Sequence, residues 1–248
     1  NTVLLGFLKN ALAVGYFAAA TKVMQMLLTM SACLGSVMMP RASHLIAENK
    51  EDEFNRLIQK SYDFTLAIAL PMTVGLICCA PNLITSLCGV KFENSILPSQ
   101  IIAPIILMVA ISNVFGIQVL FPKGKINIVT LCCGIGAVVD LVLNLCLIPF
   151  FSYVGTSIAY LGAEVATTIS MFFIGRKYLP ITYFKKNHLN YLLGCILMAI
   201  VLYAIADLQF STISILILQG CSGIVVYFLV LCVRKDIFLM QVLSKIKK

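Results

Sequence analysis

Seven long apolar runs constrain this chain more than any other feature of its sequence. They cover approximately residues 14–39, 62–88, 97–121, 126–149, 154–175, 190–207 and 213–233. A helix needs about 20 apolar residues to cross the roughly 30 Å of hydrocarbon in a bilayer. Hydrocarbon offers no partner to an unpaired backbone amide, so each crossing has to be helical. The runs therefore predict an all-α, polytopic transmembrane helix bundle with about seven full spans.

Composition agrees with a chain whose surface faces lipid. It is 60% hydrophobic and only 11% charged, whereas a soluble domain carries roughly 25% charged residues. The net charge of +8 lies in the short gaps between apolar runs, so it does not indicate a nucleic-acid partner. Residues 1–8 are typical of the tail of an eighth span. We therefore expect the chain to be the C-terminal part of a longer protein.

The basic residues divide unequally between the two sets of loops that alternate along the chain. The first set consists of loops 40–61, 122–126, 176–189 and 234–248. It holds 15 of the 18 Lys and Arg residues; the second set holds Lys9 and Lys91, and Lys22 lies within a span. Loops on the cytoplasmic side carry such an excess of Lys and Arg. The partition predicts that the first set, and with it the C-terminus, lies in the cytoplasm.

The longest of these loops combines apolar residues with charges of both signs. Over residues 41–60 the apolar side chains are separated by acidic and basic ones. This pattern favours an amphipathic helix that lies along the cytoplasmic membrane interface. A solvated connecting helix without a function of its own is the simpler interpretation.

No enzymatic, metal or cofactor motif is present in the sequence. The ten cysteines contain no CxxC pair and nearly all lie within apolar spans, where cysteine behaves as a small hydrophobic residue. His44 and His188 lie far apart in sequence, and neither an HExxH helix, a nucleophile elbow nor a P-loop occurs. We expect no catalytic residue, no bound metal and no cofactor.

Polar residues in the first span share one helical face. Gly15, Ala18, Lys22, Gln25 and Thr29 follow a spacing of three and four residues. A charged group within a span usually faces the bundle interior or a water-filled cavity. Lys22 is close enough to the outer end of the span that it could also extend its ammonium group to the interface.

Two later spans carry carboxylates near their middle, each on a polar face. The faces are Cys133, Ala137, Asp140 and Asn144, and Ser157, Tyr160, Glu164, Thr167 and Met171. Asp140 lies too deep for its short side chain to reach water at the interface. The carboxylates either form hydrogen bonds or ion pairs between helices, or line a polar path and exchange H⁺ or Na⁺.

An ordered set of short motifs resembles one transporter family. The motifs are Val14–Lys22 (VGYFAAATK), Met39–Ser43 (MPRAS), Leu70–Pro71 followed by Gly75–Leu76, Leu87–Ser95 (LCGVKFENS), Asn113–Gln118 (NVFGIQ), and Asn144–Pro149 followed by Val154–Ala159 and Glu164. Each is weak alone, but their order and spacing over residues 12–178 resemble Wzx-type polysaccharide flippases. These belong to the multidrug/oligosaccharidyl-lipid/polysaccharide exporter superfamily, which includes the MATE-like transporters.

The resemblance implies two six-helix lobes that face each other across a central cavity. Residues 1–180 correspond to the second lobe with its first helix truncated, and residues 190–234 to an additional transmembrane helix pair. Residues 235–248 form a basic cytoplasmic tail. The lobe that completes the cavity is not part of this chain.

The resemblance further implies a function in surface polysaccharide assembly at the bacterial cytoplasmic (inner) membrane. Such flippases move a polyprenyl-pyrophosphate-linked oligosaccharide between leaflets by alternating access, and they work beside a polysaccharide polymerase and other membrane proteins of the pathway. Lys22 matches a position suited to attract the pyrophosphate, while Gln25, Asn113 and Gln118 match cavity positions. Asp140 departs from the family pattern, so an ion-coupling role for Asp140, Asn144 and Glu164 is inferred from the residues themselves.

Three alternatives remain open at this point. A cation-coupled multidrug or metabolite antiporter of the same superfamily is expected to show more acidic residues in its cavity. A lipid II flippase is expected to have a more cationic cavity than Lys22 alone provides. A membrane-bound polysaccharide polymerase or transferase needs an outer loop with catalytic acids or histidines, and the sequence contains none.

Overall fold

The computed structural model describes residues 1–179, 181–183, 186–206 and 211–234, without the side chains of 31–37 and 186–187. The helices are α1 (Thr2–Leu8), α2 (Ala11–Ala47), α3 (Glu51–Cys88), α4 (Ile96–Ile102), α5 (Ile105–Asn113), α6 (Ile126–Gly175), α7 (Lys186–Ala206) and α8 (Thr212–Val233). Short 3₁₀ helices cover Val90–Ser95 and Arg176–Tyr178, and a π-helix covers Val114–Leu120. The predicted all-α fold is confirmed, whereas Lys185 and the predicted tail 235–248 lie outside the described residues.

Helix α6 is a hairpin of two antiparallel limbs. As one straight helix its 50 residues would extend about 75 Å, more than twice the hydrocarbon thickness. Ser152 interrupts the helix with a φ of 51°, and residues that follow Ser152 contact residues that precede it. Gly155 lies against Leu147, and Gly162 lies against Leu143. The first limb (126–151) and the second limb (153–175) correspond to two predicted spans.

Seven segments of this structure have the length of a membrane crossing. Five continuous helices are long and apolar enough, and a sixth span results if Val90–Ile102 and Ile105–Leu120, bent by 41°, count as one. Dividing α6 at Ser152 adds the seventh. The bend coincides with Pro104, which precedes α5 and breaks the helical hydrogen-bond ladder. Seven crossings stay a prediction, because helix length alone does not fix the position of a bilayer.

The single interfacial helix predicted over residues 41–60 is wrong. Residues 41–47 prolong α2, residues 51–60 begin α3, and a turn at 48–50 joins the two in a hairpin. Asn49 has a φ of 56°, which ends the first helix. The Glu48 carboxylate lies 2.9 Å from the Lys50 ammonium, and this hydrogen bond lowers the pKa of Glu48. The apolar side chains of the two helix extensions pack into the hydrophobic core of the bundle, and this packing buries them.

Within each of the two predicted loop sets, one hydrogen bond among the described residues joins segments that are distant in sequence. In the first set, the side chain of Gln59 accepts a hydrogen bond of 2.7 Å from the backbone N–H of Thr182. In the second set, the Lys9 ammonium donates to the backbone carbonyl of Pro149 at 2.9 Å. Loops distant in sequence are therefore gathered as the predicted alternation requires.

Helices α7 and α8 pack against each other and against α3. The fully buried Gln219 of α8 accepts from Asn82 at 3.1 Å and donates to the backbone carbonyl of Leu202 at 3.1 Å. The Tyr227 hydroxyl donates to the backbone carbonyl of Ala67 at 2.7 Å. These bonds attach the helix pair to the rest of the bundle. The division of the chain into a lobe (1–180) and an added pair (190–234) stays a prediction.

Replacing Gly155 by alanine tests the α6 hairpin. The new methyl group would lie 2.6 Å from the backbone carbonyl oxygen of Leu147, so the limbs would have to separate. We expect the purified intact protein to lose about 1–3 kcal/mol of stability, measured as a lower Tm in detergent. Gly134→Ala is the matched control, because no atom lies within 4 Å of its added methyl group. Equal Tm values for the two variants would contradict the contact.

Candidate functional site

A polar cavity of about 500 Å³ lies between the two limbs of α6 and helix α5. Its polar lining residues are Asn1, Ser112, Asn113, Asp140, Tyr160, Glu164 and Thr167. Cys133, Ala137 and Asp140 contribute one wall, as their common helical face predicts, and Tyr160, Glu164, Thr167 and Met171 contribute the facing wall. Most residues of the two predicted faces therefore border the same cavity, whereas Asn144 and Ser157 are not among its lining residues.

The close approach of the limbs beside the cavity depends on a small residue. A side chain at Gly136 would collide with Thr167 and approach the backbone carbonyl oxygen of Ala163 to 3.2 Å. Small residues allow membrane helices to pack with their backbones near each other. Gly136 therefore permits the two polar faces to border one shared space.

Asn144 connects the first limb of α6 to the start of α1. Its Nδ2 donates to Asp140 Oδ1 at 3.1 Å, to the Asp140 backbone carbonyl at 2.8 Å and to Asn1 Oδ1 at 2.8 Å. Asn144 is fully buried, and its Oδ1 is a buried acceptor without a hydrogen-bond partner among the described residues. Amide and carboxylate oxygens of this kind suit a hard cation or a proton carrier.

Glu164 approaches the same cavity from the second limb of α6. It is half-buried, and its backbone carbonyl accepts from the Thr168 hydroxyl at 2.8 Å. The same hydroxyl lies 3.2 Å from the backbone carbonyl of Met108 in α5. Helix α5 and the second limb are thus joined next to Glu164. The cavity consequently holds two carboxylates that come from different limbs.

Lys22 and Gln25 do not line this cavity. Both are exposed on the outer surface of α2, and they share a face with Thr29, which is also exposed. The polar stripe predicted for this helix therefore lies on the surface of the chain. A binding role for Lys22 and Gln25 stays a prediction.

Gln118 is buried away from the cavity, with only 1% of its surface exposed. Its Oε1 accepts a hydrogen bond of 2.5 Å from the Ser61 hydroxyl, which joins the π-helix Val114–Leu120 to α3. Asn113, from the same motif, does line the cavity. Of the seven predicted site residues, the structure brings together Asn113, Asp140, Asn144 and Glu164, and it places the other three elsewhere.

Sequence reasoning missed Asn1, Ser112 and Gly136 as parts of the site. Ser112 directly precedes Asn113 in an otherwise apolar helix, and this pair of polar residues was a usable signal. Asn1 reaches the site only because α1 packs against α6, which no local pattern predicts. Gly136 lies one residue before the predicted polar face. It contributes to the site through its small size, which a pattern of polar residues does not reveal.

A second cavity of about 570 Å³ is mainly aromatic and aliphatic. Tyr62, Phe115, Phe172 and Tyr183 contribute to its walls, with His188 at its edge. Among the described residues its lining contains no carboxylate or amide side chain, so it suits an apolar guest better than an ion or a sugar. The first cavity is therefore the candidate polar site.

A protein-family model described as "Lipid II flippase MurJ" matches residues 2–219 of this chain. The chain is also 26% identical over 176 residues to a "Putative O-antigen transporter" of Escherichia coli (strain K12). That alignment covers 69% of this chain and 41% of the relative.

Among solved structures, a lipid II flippase MurJ in an inward closed conformation is similar, with a TM-score of 0.80 and 16% sequence identity. The similarity covers 97% of this chain and 50% of the solved chain. The chain thus spans half or less of the length of these two relatives. At this identity the solved structure supports the fold, and it adds nothing about the ligand.

Proposed function

Because the chain belongs to the lipid II flippase MurJ family, we propose that it forms one half of a transporter that moves a lipid-linked oligosaccharide across the bacterial cytoplasmic membrane. The observation that carries this proposal is a polar cavity inside a chain whose exterior is otherwise adapted to lipid. A glycan cannot cross hydrocarbon unaided, whereas two halves that open alternately to each side can enclose it in a wet interior. This movement requires no chemical step, so we assign no catalytic residue.

The exposed polar stripe of α2 supports a second half that faces this one. Lys22 and Gln25 lie on the surface of a helix flanked by exposed Met26 and Met30. A lysine within a span is costly against lipid, so a wet space between two halves is the more favourable environment. The ammonium group of Lys22 would there attract the pyrophosphate that joins the glycan to its lipid.

The names of the relatives favour two substrate types. The family model is named for lipid II, and the E. coli relative is named for O-antigen. Both names agree with a polyprenyl-linked saccharide, and we propose that broader class for this protein. We further infer that the C-terminus is cytoplasmic, because it belongs to the loop set that holds most of the basic residues.

The carboxylate cavity supports a second element of the proposal, which is coupling to H⁺ or Na⁺. The side-chain oxygens of Asp140 and Asn1 both accept from Asn144 Nδ2. Asp140, Asn1 and Glu164 line the cavity. Binding of a cation there would neutralise buried negative charge and would favour one packing of the limbs over another. This feature also favours the antiporter alternative, so the coupling alone does not identify the cargo.

Lys22→Ala tests the proposed cargo site in cells that depend on the intact protein. We expect surface glycan export to fall about tenfold or more, since hydrogen bonds to charged groups contribute roughly 1.5–3 kcal/mol. Lys91→Ala removes an exposed lysine away from the polar stripe of α2 and should leave export unchanged. Membrane insertion of both variants is checked by fractionation. Wild-type export by Lys22→Ala would contradict a role in cargo binding.

Asp140→Asn and Glu164→Gln test ion coupling while they preserve side-chain size. We expect each to change the dependence of transport on pH or on sodium, measured in proteoliposomes with imposed gradients. Glu93→Gln removes an exposed carboxylate outside the cavity and serves as the control. If both cavity variants follow the wild-type profile over pH and sodium concentration, the carboxylates are structural.

A further inference from the structure

Three lysines converge at the end of the bundle where α6 begins and where its second limb ends. Lys123 and Lys125 lie on the turn that precedes α6, and Lys177 lies in the 3₁₀ helix that follows it. Gly124 takes a φ of 68° in this turn, and the N–H of Lys125 donates to the backbone carbonyl of Leu120 at 2.8 Å. The turn thus holds two of the lysines in a defined place.

All three ammonium groups surround Tyr178. Lys123 Nζ donates to the Tyr178 backbone carbonyl at 3.1 Å. The Nζ atoms of Lys125 and Lys177 lie 5.3 Å and 5.0 Å from the centre of its ring. A hydrogen bond from Lys177, and secondarily the charge of Lys125, lowers the pKa of the Tyr178 phenol. We call Lys123, Lys125, Lys177 and Tyr178 the lysine cluster.

No ion pair is described for these three lysines, although Lys123 Nζ lies 5.1 Å from the centre of the Phe54 ring, which follows the acidic first turn of α3. Neither the turn 121–125 nor the segment 176–178 contains a carboxylate. Lys125 also occupies the N-cap of α6 without a side-chain cap hydrogen bond. A cation at the positive end of a helix is unfavourable, and an anion bound there relieves the repulsion.

Apolar surface lies directly beside the lysine cluster. Ile126 begins α6 with 49% of its surface exposed, and Phe173 and Ile174, near the end of the second limb, are 67% and 38% exposed. The cluster thus lies at the ends of both limbs of α6, within about one helical turn of exposed apolar side chains. A soluble anion uses only the charges, whereas a phospholipid uses both the charges and the apolar surface.

We propose that the lysine cluster binds the phosphate headgroup of an anionic phospholipid in the cytoplasmic leaflet, with the acyl chains against Ile126, Phe173 and Ile174. The choice of leaflet rests on the orientation inferred above. An excess of positive charge sets orientation wherever it lies in the loops, and it does not require lysines from two segments to meet at one tyrosine. Binding of a phosphate headgroup explains why the three lysines converge at Tyr178.

Thermal unfolding of the intact purified protein with added lipid tests this proposal. We expect phosphatidylglycerol to raise the Tm of the wild type more than phosphatidylcholine does. For the double variant Lys125→Gln/Lys177→Gln, the apparent affinity for phosphatidylglycerol should fall roughly 30-fold, at about 1 kcal/mol for each lysine near the surface. Lys60→Gln removes an exposed lysine from the same loop set and should retain the wild-type affinity.

Two further measurements distinguish a bound phospholipid from a free anion and from a general loss of stability. Inorganic phosphate at the same concentration should give no comparable rise in Tm, and an equal rise would overturn the choice of a lipid. Lys125→Arg/Lys177→Arg keeps the charges and should keep the preference for phosphatidylglycerol. Retention of that preference by the glutamine variant, or equal effects of the two lipids on the wild type, would overturn the proposal. Binding is measured without transport, so the outcome is independent of the cargo.

Discussion

The need to give every polar group within hydrocarbon a partner governs this structure. Backbone amides meet it by forming helices, and the polar side chains of the two limbs of α6 meet it by facing one another. The hairpin of α6 is where this constraint has its largest consequence. Because Gly136, Gly155 and Gly162 let its limbs approach closely, Asp140 and Glu164 border one cavity.

The same constraint explains how distant parts of the chain are attached. The fully buried Gln219 of α8 bonds to Asn82 of α3 and to the backbone at Leu202 of α7, so its side chain ties the helix pair together and to α3. Asn144 similarly joins α6 to α1. Such bonds stabilise the bundle and also fix how its helices are oriented relative to one another, since apolar contacts alone between lipid-facing helices are weakly directional.

The sequence predicts those features that depend on local pattern. Spans follow from the lengths of apolar runs, and the cavity faces of α6 follow from helical spacing around Asp140 and Glu164. Gln118 shows where pattern is insufficient: a buried glutamine looks the same whether it lines a cavity or bonds to Ser61 of another helix. The loop 41–60 is a second example, because its apolar residues fit an interfacial helix equally well until α2 and α3 are seen to bury them in a hairpin.

The central claim is that the α6 hairpin encloses a wet cavity within the membrane, and thiol labelling tests it most directly. Both Cys133 and Cys146 are exposed on the first limb of α6, and of the two only Cys133 lines this cavity. In single-cysteine versions of the intact protein, a charged membrane-impermeant methanethiosulfonate is applied to vesicles of both orientations. The account predicts rapid modification of Cys133 and slow modification of Cys146, because only a hydrated thiol ionises and reacts. Resistance of Cys133 equal to that of Cys146 would contradict it.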